Sequence, residues 1–267
     1  MGNPVLEKIA AIARELPGLP SVAQEALAHL STPDANPAGL QAIMSRDPAL
    51  TLKVLRMANS AYYRRGREIT SLGDAIVLLG FKTIQSLVLS SAVQRVLNSA
   101  GALAPRLWEH CFTVAVACRE ISADAPGMGV EREEAFLAGL FHDVAKGVMA
   151  AQFPGIYSKP LSASEEREAL GFDHAELGQV LLTKWQIPAV LTEGVGGHHG
   201  RSASPLSSLI RLGNLVSRPL APGLSADDGE PANLKAVEIW GLTEDAIGGV
   251  RESIAPLIHE ERSLSDG

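Results

Sequence analysis

Apolar residues recur along this chain at three- and four-residue spacings, and Pro, Gly, Ser, Asp or Asn interrupts them at short intervals. That rhythm predicts many short amphipathic helices joined by brief loops. LPGLP (Leu16 to Pro20) ends a first helix, and STPDANPAGL breaks the chain again. Asn36 before Pro37 and Asp47 before Pro48 each pair an N-cap side chain with a proline at the first helical position. After Asp47, Leu50, Val54, Leu55 and Met57 form an apolar stripe. Thr70 or Ser71 is expected to cap the next helix, which Gly80 ends, and FKTIQSLVLSSAVQRVL makes another. The small-residue stretch NSAGALAP (Asn98 to Pro105) reads as a flexible linker closing an all-helical first half.

The second half continues in the same way. RLWEHCFTVAVACREISA is a strongly apolar helix, and EREEAFLAGLFHDVAKGVMAAQF reads as one further helix. SASEEREALGFDHAELGQVLLTKWQIP gives two more, PAVLTEGVGGHHG and SPLSSLIRLGNLVSR follow, and a last helix is expected near residues 242–259. Residues 219–234, rich in Pro, Gly and Asp, form the longest loop. β-Branched residues nowhere alternate over more than a few positions, so the expected class is all-α with almost no strand.

Composition narrows the function. The chain has 267 residues, 46% of them hydrophobic, enough for one large core or two fused helical halves. No run reaches about 18 uninterrupted apolar residues, so no membrane span is expected. The start lacks the basic and apolar blocks of a secretory signal. A formal net charge of −7 disfavours nucleic acid as the main partner, though a small phosphorylated ligand could still occupy a local site. Cys111 and Cys118 lie on one helix, about 10 Å apart by helical rise, beyond a disulfide's reach. They read as small core residues of a cytoplasmic protein.

Five of the seven histidines gather in the second half beside carboxylates. His142 and Asp143 stand together inside an apolar segment, where ionisable neighbours are costly unless paired or metal-bound. His110 lies on the preceding helix, His174 follows in GFDHAELG, and His198 and His199 form a second adjacent pair between Gly197 and Gly200. A divalent metal needs nitrogen and oxygen donors from separate elements, and this set could supply them. Other readings stay open. His142–Asp143 could be a hydrogen-bonded remnant, His198 and His199 polar residues at a frayed helix end, and Lys146 a solvated or snorkelling side chain rather than one facing an anion. Arg64, Arg65 and Arg67 beside Tyr62 and Tyr63 read first as a solvated basic loop, and His29 and His259 as incidental.

The order H…HD resembles the HD superfamily of metal-dependent phosphohydrolases. The longer series His110, His142, Asp143, Lys146, His174, His198, His199 resembles the ligand set of the HD-GYP phosphodiesterases. The first half resembles another branch: LPGLPSVAQEAL, SRDPALTLKVLRMANSAYY and ITSLGDAIVLLGFKTIQSLVL are similar to the HDOD domain, and the resemblance spans roughly residues 16–216. It implies a multi-helix HDOD fold, with an N-terminal bundle (1–98) packed on an HD-like half (99–267). It also implies a bacterial, cytoplasmic signalling protein of a family usually without demonstrated catalysis. The metal that the resemblance implies is iron, manganese or zinc, and the implied partners are signalling proteins or a small phosphorylated ligand.

Two departures bear on the chemistry. The late aspartate of the HD series maps onto Asn214, whose amide is a weaker metal donor than a carboxylate. HHG is followed by RSASP, without the glutamate and the Gly-Tyr-Pro of the HD-GYP family. The expected function is therefore a non-catalytic output module with a degenerate HD site. The alternatives are a divalent-metal phosphohydrolase acting on a nucleotide or phosphate ester, with Lys146 against the phosphate, and a metal or nucleotide sensor that binds without turnover.

Overall fold

A computed structural model describes residues 4–60, 63, 66–157, 159, 161–200, 204–221, 237 and 240–265. Every regular element among them is helical, and none is a strand. Tyr62, Arg64 and Arg65 of the basic loop, and residues 222–234 of the long loop, lie outside the described residues.

Two compact units emerge, 18–94 and a second made of 1–17 with 95–267. In the first, α2 (Ser21–Leu30), α3 (Pro37–Met44), α4 (Pro48–Asn59) and most of α5 (Leu72–Leu97) surround one core. The expected caps are present. Asn36 Oδ1 accepts from Gly39 N at 2.9 Å, Asp47 Oδ1 from Leu50 N at 3.0 Å, and Ser71 Oγ from Asp74 N at 3.0 Å. Leu50 and Val54 of the α4 stripe are buried beside Leu40, Met44, Ile76 and Ile84, with Leu55 and Met57 half-buried against them. Gly80 breaks α5 at φ 76°, a backbone conformation open to glycine and strained for other residues. His29, which the sequence left without a role, braces the α3 cap: its Nε2 accepts from Asn36 N at 3.2 Å.

The second unit holds α1 (Pro4–Glu15), α6 (Ala104–Asp124), α7 (Arg132–Phe141), α8 (Val144–Gln152), α9 (Ala163–Leu170), α10 (His174–Lys184), α11 (Ala189–Gly196), α12 (Pro205–Ser217) and α13 (Glu244–Ser265). The first helix, expected to open the N-terminal half, thus belongs to this unit. Lys184 Nζ donates to the carbonyls of Ala13 and Leu16 at 3.2 and 2.7 Å, where a cation suits the exposed carbonyls of a helix C-terminus. Trp185 Nε1 donates to Pro17 O at 2.8 Å. The linker 98–105 is ordered too. It forms a short 3-10 turn, and Ser99 Oγ donates to Gly147 O at 3.1 Å.

Helix α6 is the spine of this unit and packs against α7, α12 and α13. Cys111 and Cys118 are both free and buried in it. The stretch Leu72–Asp124 is by length and composition apolar enough to cross a membrane. Half of its most apolar window is nevertheless buried, and Gly80 and Gly101 break the run.

Glycines set the spacing around α6. A Cβ on Gly139 of α7 would lie 2.7 Å from Ala115 Cα and 2.8 Å from Val114 O, both backbone atoms that cannot swing aside. A Cβ on Gly213 of α12 would meet Cys118 Sγ at 2.6 Å. Gly→Ala inside a helix normally gains about 0.5–1 kcal/mol. For Gly139→Ala, overpacking should outweigh that gain and leave a net loss of about 1–3 kcal/mol. Urea unfolding would measure it, and an unchanged or raised midpoint would show that α6 and α7 can separate freely.

Candidate metal centre

The histidine–aspartate pair stands at a break, not inside the single helix that the apolar run predicts. Helix α7 stops at Phe141 and α8 starts at Val144. His142 Nδ1 donates to Gly139 O at 2.7 Å, so a side chain has taken a carbonyl near the end of the α7 ladder. Asp143 follows with φ −110° and ψ 9°, in the sparsely used bridge region between helix and strand. The turn directs both side chains into the interior, where each is 1% exposed.

The other donors come from separate elements. His110 projects from α6, His174 opens α10, and His198 and His199 follow α11. Local signals hold His174 in place. Ser162 and Glu165 form a capping box at the start of α9, Gly171 ends that helix in the left-handed conformation at φ 88°, and Asp173 with Glu176 forms a second capping box. Two helices therefore meet across a three-residue turn, which brings Glu166 of α9 against His174.

The side chains form two adjoining groups. In the first, His110 Nε2 lies 3.1 Å from His142 Nε2, and Asp143 Oδ2 lies 3.6 and 3.5 Å from those two nitrogens. In the second, His174 Nε2 lies 2.8 Å from His199 Nε2 and 3.4 Å from His198 Nε2. Asp143 stands between them, because its Oδ1 is 3.0 Å from His174 Nε2. Within each group of three ligand atoms all separations are under 4.8 Å.

The outer ring atoms settle which nitrogen faces inward. His142 Nδ1 donates to Gly139 O, His198 Nδ1 to Val195 O at 2.6 Å, and His174 Nδ1 to Glu166 Oε2 at 2.6 Å. In the neutral rings the proton is then on Nδ1, and the Nε2 lone pairs point at one another. Lone pairs 3 Å apart repel unless a proton or a cation lies between them. Asp143 Oδ1 is also buried and makes no regular hydrogen bond, although His174 Nε2 lies 3.0 Å away. Orphaned buried acceptors ringed by imidazoles fit a divalent cation.

The electrostatics divide the rings, with His174 set apart from the others. Burial, with help from the neighbouring cationic groups, pulls His142 down to about 4, although Asp143 opposes it. Burial pulls His198 down to about 3 and also lowers His199, so these rings are uncharged donors at neutral pH. Burial opposes charge on His174 as well, but the Glu166 and Asp143 carboxylates outweigh it and raise this ring to about 10. Burial alone would raise Asp143, yet His142, Lys146 and His174 hold it well below the usual carboxylate range.

Lys146 is not the solvated side chain weighed from the sequence. It is 1% exposed, and its Nζ donates to Asp143 Oδ2 at 2.9 Å. The break at His142–Asp143 turns α8 inward and takes Lys146 with it. Asn214 is buried on α12, one residue beyond the Gly213 contact with α6.

Glu166 was not singled out from the sequence. It is fully buried, its Oε2 accepts from both the backbone N and Nδ1 of His174, and Tyr157 donates its hydroxyl to Oε1. One signal was present: with Ala163 and Leu170, Glu166 occupies the buried face of α9, a carboxylate at an apolar position.

Comparison with known proteins places this chain in a family. An uncharacterised protein of Treponema pallidum is 24% identical over 218 residues, 76% of this chain and 42% of that protein. The chain spans less than half the length of the curated relatives it matches. The crystal structure of a candidate phosphohydrolase from Shewanella amazonensis aligns with TM-score 0.70 and 26% identity, covering 95% of this chain and 93% of that one. An HDOD domain protein of unknown function from Geobacter sulfurreducens shares the fold, with TM-score 0.71, 21% identity and 98% of each chain covered. The HDOD domain pattern itself matches residues 16–201, which include all of the donors above, and the chain belongs to the HDOD domain family.

Proposed function

We propose that this chain is a signal-transduction module whose HD-type pocket binds a divalent cation without turning over a substrate. The observation that carries the reading is the inward convergence of Nε2 lone pairs from tautomer-fixed histidines around Asp143. His110, His142 and Asp143 would hold one cation, and His174, His198 and His199 offer a second position. A bound cation would supply Lewis-acid polarisation of a phosphoryl oxygen and a more acidic bound water. Asn214 argues against use of that chemistry, because it stands where the HD resemblance expects a carboxylate. Iron, manganese and zinc all suit imidazole-rich sites.

In this reading the cation orders the pocket, and a partner protein or small phosphorylated ligand reads the ordered state. The Shewanella amazonensis protein, described as a candidate phosphohydrolase, supports the second reading, in which Lys146 and the metal act on a phosphate ester.

Elemental analysis of protein purified with iron, manganese or zinc tests for the cation, and a hydrolysis assay separates the two readings. The expected result is at least one ion per chain, retained with a Kd tighter than about millimolar, or about −4 kcal/mol. No appreciable hydrolysis of generic phosphodiesters, cyclic dinucleotides or nucleoside triphosphates is expected. Asn214→Asp should tighten the cation. Robust wild-type hydrolysis that disappears in His142→Ala would overturn the non-catalytic reading. Protein that stays metal-free after loading would overturn the metal reading.

A further inference from the structure

Within this cation-binding reading, we propose that Glu166 is the positioning residue of the second ligand group, acting on the metal through His174. Glu166 is fully buried on α9 and lies beyond His174 from the other inward-facing nitrogens. Its Oε2 accepts from His174 N at 2.7 Å and from His174 Nδ1 at 2.6 Å. Its Oε1 accepts from the Tyr157 hydroxyl, which is itself 3.6 Å from Met149 Sδ of α8. One carboxylate thus ties together the backbone start of α10, the His174 ring and a tyrosine held against α8.

Three consequences follow for a bound cation. The Nδ1 contact fixes the ring orientation, so Nε2 points at His198 and His199. A carboxylate on Nδ1–H makes Nε2 a stronger electron donor than a backbone carbonyl acceptor would. His174, His198 and His199 are neutral as ligands, so Glu166 adds a second negative charge to that of Asp143, whose Oδ1 lies 3.0 Å from His174 Nε2. His142 and His198 use backbone carbonyls in the corresponding place, and Glu166 makes His174 the different member of the set.

The test is a double-mutant cycle on cation affinity with cobalt(II), whose visible absorption reports ligand geometry. Glu166→Gln keeps the shape and removes the charge, and should weaken binding about 10–100-fold and change the absorption spectrum. In a His174→Ala background the same substitution should have almost no further effect, because Glu166 acts through that ring. Tyr157→Phe, which keeps the charge, should give a smaller loss in the same direction and carries the test if Glu166→Gln does not fold. Equal losses from Glu166→Gln with and without His174 would mark a general structural role and overturn the proposal. Wild-type binding with unchanged affinity in Glu166→Gln would overturn it while leaving the cation reading intact. A wild-type chain that binds no cobalt would remove the cation reading and this proposal with it.

Discussion

Asp143→Asn is expected to weaken divalent-cation binding throughout the pocket by at least about 100-fold, more than any single histidine substitution. Asp143 is the one carboxylate common to both ligand groups: Oδ2 faces His110 and His142, and Oδ1 faces His174. Its charge is also held strongly in the ionised form. Asparagine keeps the shape and an acceptor for Lys146, but it loses the anion that neutral imidazoles do not replace. His110→Ala removes a donor from the first group alone, so any binding at His174, His198 and His199 should survive it. Titration calorimetry with manganese and zinc checks both statements. Wild-type affinity in Asp143→Asn would mean that the carboxylate is not a ligand and that the histidines serve another purpose.

The second large effect is on stability without metal. Asp143→Ala should cost about 3–5 kcal/mol, because it leaves Lys146 charged and buried without its carboxylate. Lys146→Met should cost far less, since the aspartate keeps the imidazoles around it and methionine fills similar space. Adding Lys146→Met to Asp143→Ala should recover part of the loss, a coupling expected for residues in direct contact. Urea midpoints of chelator-treated protein give all three values. Equal losses for Asp143→Ala and Lys146→Met would show that the buried ammonium is satisfied elsewhere.

Much of the fold was legible because the signals are local. Asn36, Asp47 and Ser71 cap helices through their own side chains within three residues, and Gly80 and Gly171 break helices by occupying conformations other residues avoid. The His142–Asp143 break was misread as continuous helix because its cause is a single side-chain bond to Gly139 within an apolar run that otherwise favours helix. The place of α1 was misread for a different reason. Its attachment runs through Lys184 and Trp185, far along the chain, and nothing near residues 4–17 announces it.

The same division holds at the centre. The donor types and their order, from His110 through His142, Asp143 and His174 to His198 and His199, can be read along the chain, because ligand chemistry is a property of side chains. That these donors meet, which nitrogens of His142, His174 and His198 face inward, that Lys146 is buried on Asp143, and that Glu166 stands behind His174 emerge from the folded packing. Those facts depend on distances between residues many positions apart. Such distances are set where α6 through α11 pack, at glycines such as Gly139 and at caps such as Asp173, and no spacing along the chain encodes them directly.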